Sequence, residues 1–540
     1  MKLIKLSQLL FLIVLFNNSL NAQQNYSVQE GKIVDRKKNP IYEFIGEDTG
    51  SIFYINYKSR DRYIEKTDIH QNVKASVLIP RYELNTENKT YFQYAFIMRD
   101  YLAFIYSSED KLKNEYVTYI RKYNKETLKP EGSYVELMRV AIPEKKMVML
   151  TPLSNPQYLQ DVISTVNQKN YYVSDDKTKF MLYRNINYTD KNSPEKLNLT
   201  VFDLDLNRLW EKEYTMRFAT KDFTISSILL NNSGNVYITG IHYLNGQEAS
   251  AQRREKKQDY TYHVISFKDN GLVIKNTPIQ LKNNFISDFK IGLKNDGEPF
   301  AVGFYSQKES SSIQGVFHIT FDSETSEISN EVETLFEKEF IQEGLDKFDL
   351  KKSNKSADKG DLKMMNHDLR ALVVNKNNEV TLVAERFYVT STTYVDASGR
   401  TTSVPVYNYN EMIIISFSSN GTIRWKTKVQ KRQTGSEYSS FAIIPTTSKI
   451  FIVFNDDQKN ISLSPEDTPN QLTNKNYGLM IIELNCESGE FVRNLILPRS
   501  NNDIMLKPRK ALVSQNGTAI FYGDYMGRKY QFVEIRFDQN

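Results

Sequence analysis

Short runs of aliphatic and aromatic residues recur along the whole chain, and they come in pairs separated by polar turns. Eight first arms stand out: Ser51–Tyr57, Tyr101–Ser107, Lys179–Arg184, Asn235–His242, Glu298–Tyr305, Glu379–Tyr388, Lys449–Asn455 and Thr518–Tyr525. Eight second arms follow them: Arg62–Thr67, Val117–Tyr123, Leu199–Asp203, Val264–Lys268, Phe317–Asp322, Ile413–Phe417, Met480–Leu484 and Val533–Phe537. Apolar side chains at a period of two mark strands buried on at least one face, and the abundance of Tyr and Phe agrees with sheet packing. The turns carry matching chemistry in Asn232-Ser233-Gly234, Asp269-Asn270-Gly271, Asn295-Asp296-Gly297, Ser419-Asn420-Gly421 and Gln515-Asn516-Gly517. Asn and Gly accept the positive φ that a tight reversal between twisted strands requires. Helical patterning is confined to short stretches near Tyr158–Val166 and Thr334–Gly344.

After each second arm comes a turn and a further strand, so the repeat is a four-stranded unit. Phe202 and Trp210 in one unit have the spacing of Phe417 and Trp425 in another, and these are the chain's two tryptophans. Successive second arms lie from 53 residues apart (Leu484 to Phe537) to 96 apart (Phe321 to Phe417). Plain propeller blades run about 40–50 residues, so several units carry insertions. Linkers and composition breaks are absent between units. The pattern therefore predicts an all-β fold, one β-propeller of four-stranded blades over residues 23–540, with eight blades favoured over seven. The last unit lacks a fourth strand, whereas Tyr26–Val34 precedes a first unit that already has four, starting at Ile41, Ile52, Tyr63 and Val73. Pairing the spare early strand with the open last blade closes the ring and hides an edge.

The insertions gather at two connections. Asn185–Lys196, Asn245–Asp259, Val389–Asn410 and Asp456–Tyr477 join second strands to third; Ile142–Asn167 and Phe340–His367 join one blade to the next. Both connections leave the same end of a four-stranded blade, so all six enlargements crowd one face, where repeat proteins commonly bind.

Residues 1–22 have a positive start (Lys2, Lys5), a short apolar run from Leu9 to Phe16 and a small residue at Ala22, the form of a secretory signal peptide cleaved before Gln23. The run is too short to cross a bilayer, and no later segment is long and apolar enough to do so. The formal charge of +5 falls to +3 without Lys2 and Lys5, and the charges are interspersed, which gives no case for nucleic acid. The single cysteine, Cys486, precludes an intrachain disulfide and sits in a turn that implies partial exposure. These features predict an exported protein of the bacterial periplasm or cell envelope.

Catalytic and cofactor motifs are missing: there is no His-Glu-x-x-His, no Gly-x-Ser-x-Gly, no phosphate-binding glycine loop and no paired cysteines. Four Ser-x-x-Lys matches lack the companion motifs of penicillin-recognising enzymes. Of five histidines, His242, His263 and His318 fall inside strands, and none has zinc-site spacing. No metal or cofactor is therefore expected. Asn455-Asp456-Asp457 is the strongest hard-ligand cluster, where a strand gives way to a long loop, although Asp and Asn also begin turns for local reasons. The Arg253–Lys257 run reads as a basic loop tip. Tyr394, Tyr407 and Tyr409 flank the Val389–Asn410 insertion and offer contact area at low entropic cost. The candidate ligand-binding residues are thus Tyr394, Tyr407, Tyr409, Asn455, Asp456 and Asp457, with no catalytic residue.

The stretch from Ile415-Ser416-Phe417 through Gly421, Trp425–Val429, Gln433 and Tyr438-Ser439-Ser440-Phe441 resembles exported β-propeller-like proteins of Bacteroidota-type bacteria. Gly303-Phe304-Tyr305-Ser306, Val453-Phe454-Asn455-Asp456 and the Asn21-Ala22-Gln23 region are similar to that group as well. The resemblance implies fold and compartment, and carries over no catalytic residue. The expected function is a binding or scaffold propeller that grips an envelope protein or polysaccharide. The alternative is a polysaccharide hydrolase or lyase with carboxylates at the channel mouth.

Overall fold

Each apolar pair forms the centre of an antiparallel sheet, and the sheets follow one another along the chain, the N-terminal segment alone joining the last sheet among the described residues. The computed structural model describes residues 25–539 except 38–40, 59–60, 81, 86–87, 111, 142–170, 186–191, 245–259, 308–311, 346, 365, 396–397, 436, 464–466, 500–502 and 515. Eight sheets result, each with the strand order 1-2-3-4 of a propeller blade. Blade 1 is Ile41–Asp48, Ser51–Lys58, Asp61–Thr67 and Val73–Ile79. First strands of neighbouring blades lie against one another, as Phe285–Leu293 does with His367–Val374, so they line the axis.

Ring closure follows the expected route. Tyr26–Glu30 pairs antiparallel with Lys529–Phe537, Tyr26 opposite Phe537, and supplies the fourth strand of blade 8. The first strand of that blade is split into Met505–Leu506 and Leu512–Val513 by a single turn of 3-10 helix, Pro508–Lys510.

The core is divided among the seams between blades. Side chains alternate across a strand, so one strand serves two seams. In blade 6, Ile413 and Ile415 face blade 5 with Val302 and Phe304, while Met412 and Ile414 face blade 7 with Ile452 and Phe454. Such strands read as continuous apolar runs because both faces are covered. The closing seam packs Ile52 and Tyr54 of blade 1 against Tyr522 and Phe532 of blade 8.

Connections 1–2 and 3–4 leave one end of the ring, here the turn face; connections 2–3 and 4–1 leave the other, the loop face. Turn-face reversals are held by their own side chains. Asn231 Oδ1 accepts from Ser233 N at 3.0 Å and Asn235 N at 2.8 Å, and Asn485 Oδ1 accepts from Glu487 N at 2.8 Å and Ser488 N at 3.1 Å. Trp425 Nε1 donates to Cys486 O of the next blade at 2.9 Å, and its ring lies over Gly489, where a Cβ would come within 2.5 Å. That close approach, at φ +75°, requires glycine.

The loop face departs from expectation in two described places. Val389–Asn410 is not a loop: the second and third strands of blade 6 continue as Val380–Val395 and Thr401–Phe417, with register kept to Val395 opposite Thr401. Thr, Val and Tyr dominate it and suit extended backbone, whereas loss of apolar–polar alternation had hidden the strands. In the connection before blade 6, α1 (Lys338–Gln342) falls inside the expected helical stretch, but α2 (Lys347–Ala357) was not anticipated. Its sequence, KFDLKKSNKSA, buries no residue and so lacks an apolar stripe. Asn245–Asp259 with its Arg253–Lys257 run, all of Ile142–Asn167 with its Tyr158–Val166 stretch and residues 186–191 lie outside the described residues.

The loop face as candidate functional site

Near the loop face the axis-lining strands are bulged. An extra residue is inserted at Tyr42, Gln93, Ser226, Ser287 and Arg370 in blades 1, 2, 4, 5 and 6. A bulge re-aims a side chain, and here several bulged residues meet the second strand. Gln93 Nε2 donates to Ser107 Oγ at 2.7 Å, Ser226 Oγ lies 2.9 Å from Thr239 Oγ1, and Arg370 Nε donates to Glu385 Oε2 at 2.9 Å. Next to the Ser287 bulge stands Asp288, which accepts from Phe289 N at 2.9 Å. Burial pushes its carboxyl up to about 6; Lys290 opposes the rise and the Asp368 charge on the neighbouring first strand adds to it.

From Arg370 a buried polar seam runs beneath the loop face through blades 6, 7 and 8. Lys431 and Glu385, both fully buried, pair at 2.6 Å. Burial pulls the Lys431 ammonium below its ordinary range and Glu385 holds it up. Lys431 also donates to Tyr409 O at 3.2 Å and Gln433 Oε1 at 3.0 Å, while Glu385 accepts from Ser440 Oγ at 2.8 Å. Gln433 Nε2 reaches Asn455 O at 2.6 Å, and Asn455 Nδ2 donates to Tyr438 O at 2.8 Å and Leu506 O at 2.7 Å. Tyr438 then donates to Asp524 at 2.6 Å, which pairs with Lys507 at 2.5 Å.

The candidates from the sequence divide between this seam and the ribbon above it. Asp456 is buried and pairs with Arg493 at 2.8 Å, accepting also from Asn460 Nδ2 at 2.7 Å. Burial raises its carboxyl to about 6, with Arg493 as the chief opposing influence. Asp457 caps the 3-10 helix Gln458–Ser462 by accepting from Lys459 N at 3.0 Å and takes a second bond from Asn476 at 3.1 Å. Asn455, Asp456 and Asp457 therefore spend these polar groups within the protein. Tyr409 is buried too, against Phe387 at 4.9 Å and beneath the Arg509 guanidinium at 5.4 Å. Tyr407 is half-buried and stacked on Phe387, whereas Tyr394 is 59% exposed far along the ribbon. The structure brings Tyr407, Tyr409 and the Asn455–Asp457 strand end to one region and leaves Tyr394 apart.

Glu385, Lys431, Arg493, Lys507 and Asp524 were not singled out from the sequence. A lone acid directly after an apolar run inside a strand, as in Val380-Thr381-Leu382-Val383-Ala384-Glu385, is the signal that could have found Glu385. Among the described residues no group of three or more His, Cys, Asp or Glu is placed to hold a metal ion. His242 stacks on Phe218 at 3.7 Å, His263 bonds Asn276 at 2.8 Å, and His318 lies between Phe300 and Phe417, where burial lowers it to about 4. Chemically, the seam gives each of its buried carboxylates at least one cationic partner, and what it leaves exposed are the loops and ribbon it supports.

No protein-family model matches the chain, and no curated protein matches it. Among solved structures, the WD40 domain of SCAP from fission yeast matches 96% of this chain and 99% of its own at 10% identity and a TM-score of 0.39. Prolyl oligopeptidase B from Galerina marginata matches 94% of this chain at 10% identity and a TM-score of 0.37; this chain spans 56% of that one. The β-propeller domain of the Trilobed protease from Pyrococcus furiosus matches 81% of this chain and 79% of its own at 11% identity and a TM-score of 0.28. The protein is a β-propeller module, on the strength of its own strand order and eight sheets. Among the described residues no helix is long and apolar enough to cross a membrane.

Proposed function

We propose that this propeller is a binding or scaffold module of the bacterial cell envelope, exported by its first 22 residues, that grips a protein or polysaccharide through the loop face. One observation carries the reading: the described enlargements, the blade 6 ribbon, the α1–α2 connection and the segment after Asp457, all rise from that face, while the turn face keeps tight reversals. Loops on a rigid scaffold are where recognition concentrates. The internal pairing of Glu385, Asp456 and Asp524 supports binding over acid–base chemistry, since each carboxylate already has a cationic partner. Tyr394 and the ribbon's outer half are the exposed contact surface. Immobilised protein incubated with envelope extract should retain a discrete protein or polysaccharide, and its mature N-terminus should be Gln23. An extract that leaves nothing bound above a blank resin would remove the binding reading.

A second reading, a polysaccharide hydrolase or lyase at the channel mouth, is favoured by one feature. Asp288 has its carboxyl raised to about 6, near Asp368 on the neighbouring strand, as a general acid requires. Release of reducing ends from envelope polysaccharide, abolished by Asp288→Asn, would support it; no release by the unaltered protein would remove it.

A further inference from the structure

The ribbon of blade 6 has two edges, and they are not alike. Phe387 N donates to Asn366 O at 2.7 Å, so the backbone of Phe387 points away from the third strand. Backbone groups alternate sides along a strand, so Val389, Ser391, Thr393 and Val395 also present their N–H and C=O groups outward. Residues 389–395 are all exposed, and no strand lies beside that edge among the described residues. On the opposite edge Gly435 N donates to Tyr407 O at 3.0 Å, which makes Tyr407, Pro405 and Ser403 the outward positions. Pro405 has no N–H, so that edge is interrupted where a neighbour would dock.

Edge strands are ordinarily guarded by charge, proline or a bulge. Tyr388–Val395 carries no charge and no proline, and its register with the third strand is unbroken from Phe387 to Val395. Its residues are also nearly symmetrical about Thr392. Antiparallel pairing of Val389-Thr390-Ser391-Thr392-Thr393-Tyr394-Val395 with itself sets Val389 against Val395, Thr390 against Tyr394 and Ser391 against Thr393. The four outward-facing residues then fall opposite one another, so every exposed donor meets an acceptor. Valine pairs, aromatic with β-branched pairs and Thr–Thr pairs are favourable cross-strand neighbours.

We propose that the Val389–Val395 edge pairs with the same edge of a second copy of this chain, about a twofold axis at Thr392, joining two ribbons into one four-stranded sheet. This does not depend on the envelope-binding reading. A contact of seven residues a side lies well below the roughly 1,200–2,000 Å² of a stable complex, so the dimer is weak and concentration-dependent.

Sedimentation of the purified protein across the micromolar range tests it. The mass should rise toward twice that of the monomer. Thr392→Lys places two ammonium groups opposite each other and should hold the mass at one chain, as should Thr392→Glu with its two carboxylates. An equal mixture of the two variants should dimerise again, which a folding defect cannot produce. A wild-type protein that stays monomeric throughout, or a Thr392→Lys variant that dimerises as the wild type does, overturns the proposal. Wild-type monomer that instead captures a different chain through this edge overturns it as well.

Discussion

The two faces of the ring are built by different physics. On the turn face each reversal is stabilised from within a few residues: Asn231 bonds residues 233 and 235, and Asn485 bonds 487 and 488. On the loop face the stabilising partners are far apart in sequence. Lys431 pairs with Glu385 across 46 residues, Tyr438 bonds Asp524 across 86, and Arg493 pairs with Asp456 across 37. Local bonds close each turn, and single bonds such as Asn231 Nδ2 to Gly297 O at 3.0 Å and Trp425 Nε1 to Cys486 O at 2.9 Å tie a turn to its neighbour. A nonlocal seam makes a platform whose parts depend on each other, which is what a surface carrying long insertions needs.

The difference is broken most sharply at Lys431. Lys431→Met removes the fully buried cation from Glu385 and leaves its carboxylate only Arg370, at 2.9 Å, as a charged partner, which should cost about 3 kcal/mol, measured by denaturant unfolding. Lys431→Met combined with Glu385→Leu should recover much of that loss, because an apolar pair no longer buries a charge. Two equal losses that simply add would mean the seam is not a network.

The faces should also respond oppositely to acid. His318, packed against Gly421 of a turn-face reversal, is held below its unfolded value of about 6.5. Its contribution is fully present above that pH and is lost as pH falls from 6.5 toward 4. Asp288 at the loop-face mouth is held above its unfolded value, so its penalty is present above about 6 and disappears as pH falls toward 4. Thermal unfolding at pH 7 and pH 4.5 should therefore show His318→Phe improving relative to wild type at the lower pH by roughly 1–2 kcal/mol. Asp288→Asn should show its advantage at pH 7, by about 1 kcal/mol. The same sign for both variants would defeat the distinction.

A turn on the other face should be cheap to damage. Asn485→Ala removes two local bonds at an exposed site and should cost about 1 kcal/mol or less, with no coupling to Lys431→Met in a double-mutant cycle.

Legibility in the sequence follows the same division. The second and third strands of every blade, the Asn-Gly turns and the closing strand at Tyr26–Glu30 were readable because period-2 burial and turn chemistry act over a few residues. The blade 6 ribbon read as a loop because an exposed strand has no apolar face to reveal it, and α2 was invisible for the same reason. Asn455–Asp457 was located where the strand does end, but its partners Arg493, Leu506 and Tyr438 belong to other strands and connections, so its burial had no local sign. The seam itself is a tertiary fact: only the ring brings Glu385 to Lys431.

The smallest effect on stability belongs to the ribbon. Replacing Thr390–Val406 by an Asn-Gly turn between the paired Val389 and Tyr407 removes the ribbon's projecting part and should leave unfolding within about 0.5 kcal/mol of wild type. That variant, set beside Asn485→Ala, measures most directly whether the loop face is the working surface. Both proteins are immobilised at equal density, and the material each retains from envelope extract is compared with that retained by wild type. The account predicts that the shortened ribbon loses most of the captured material while Asn485→Ala retains it. Undiminished capture by the shortened protein, or loss with Asn485→Ala alone, would contradict it.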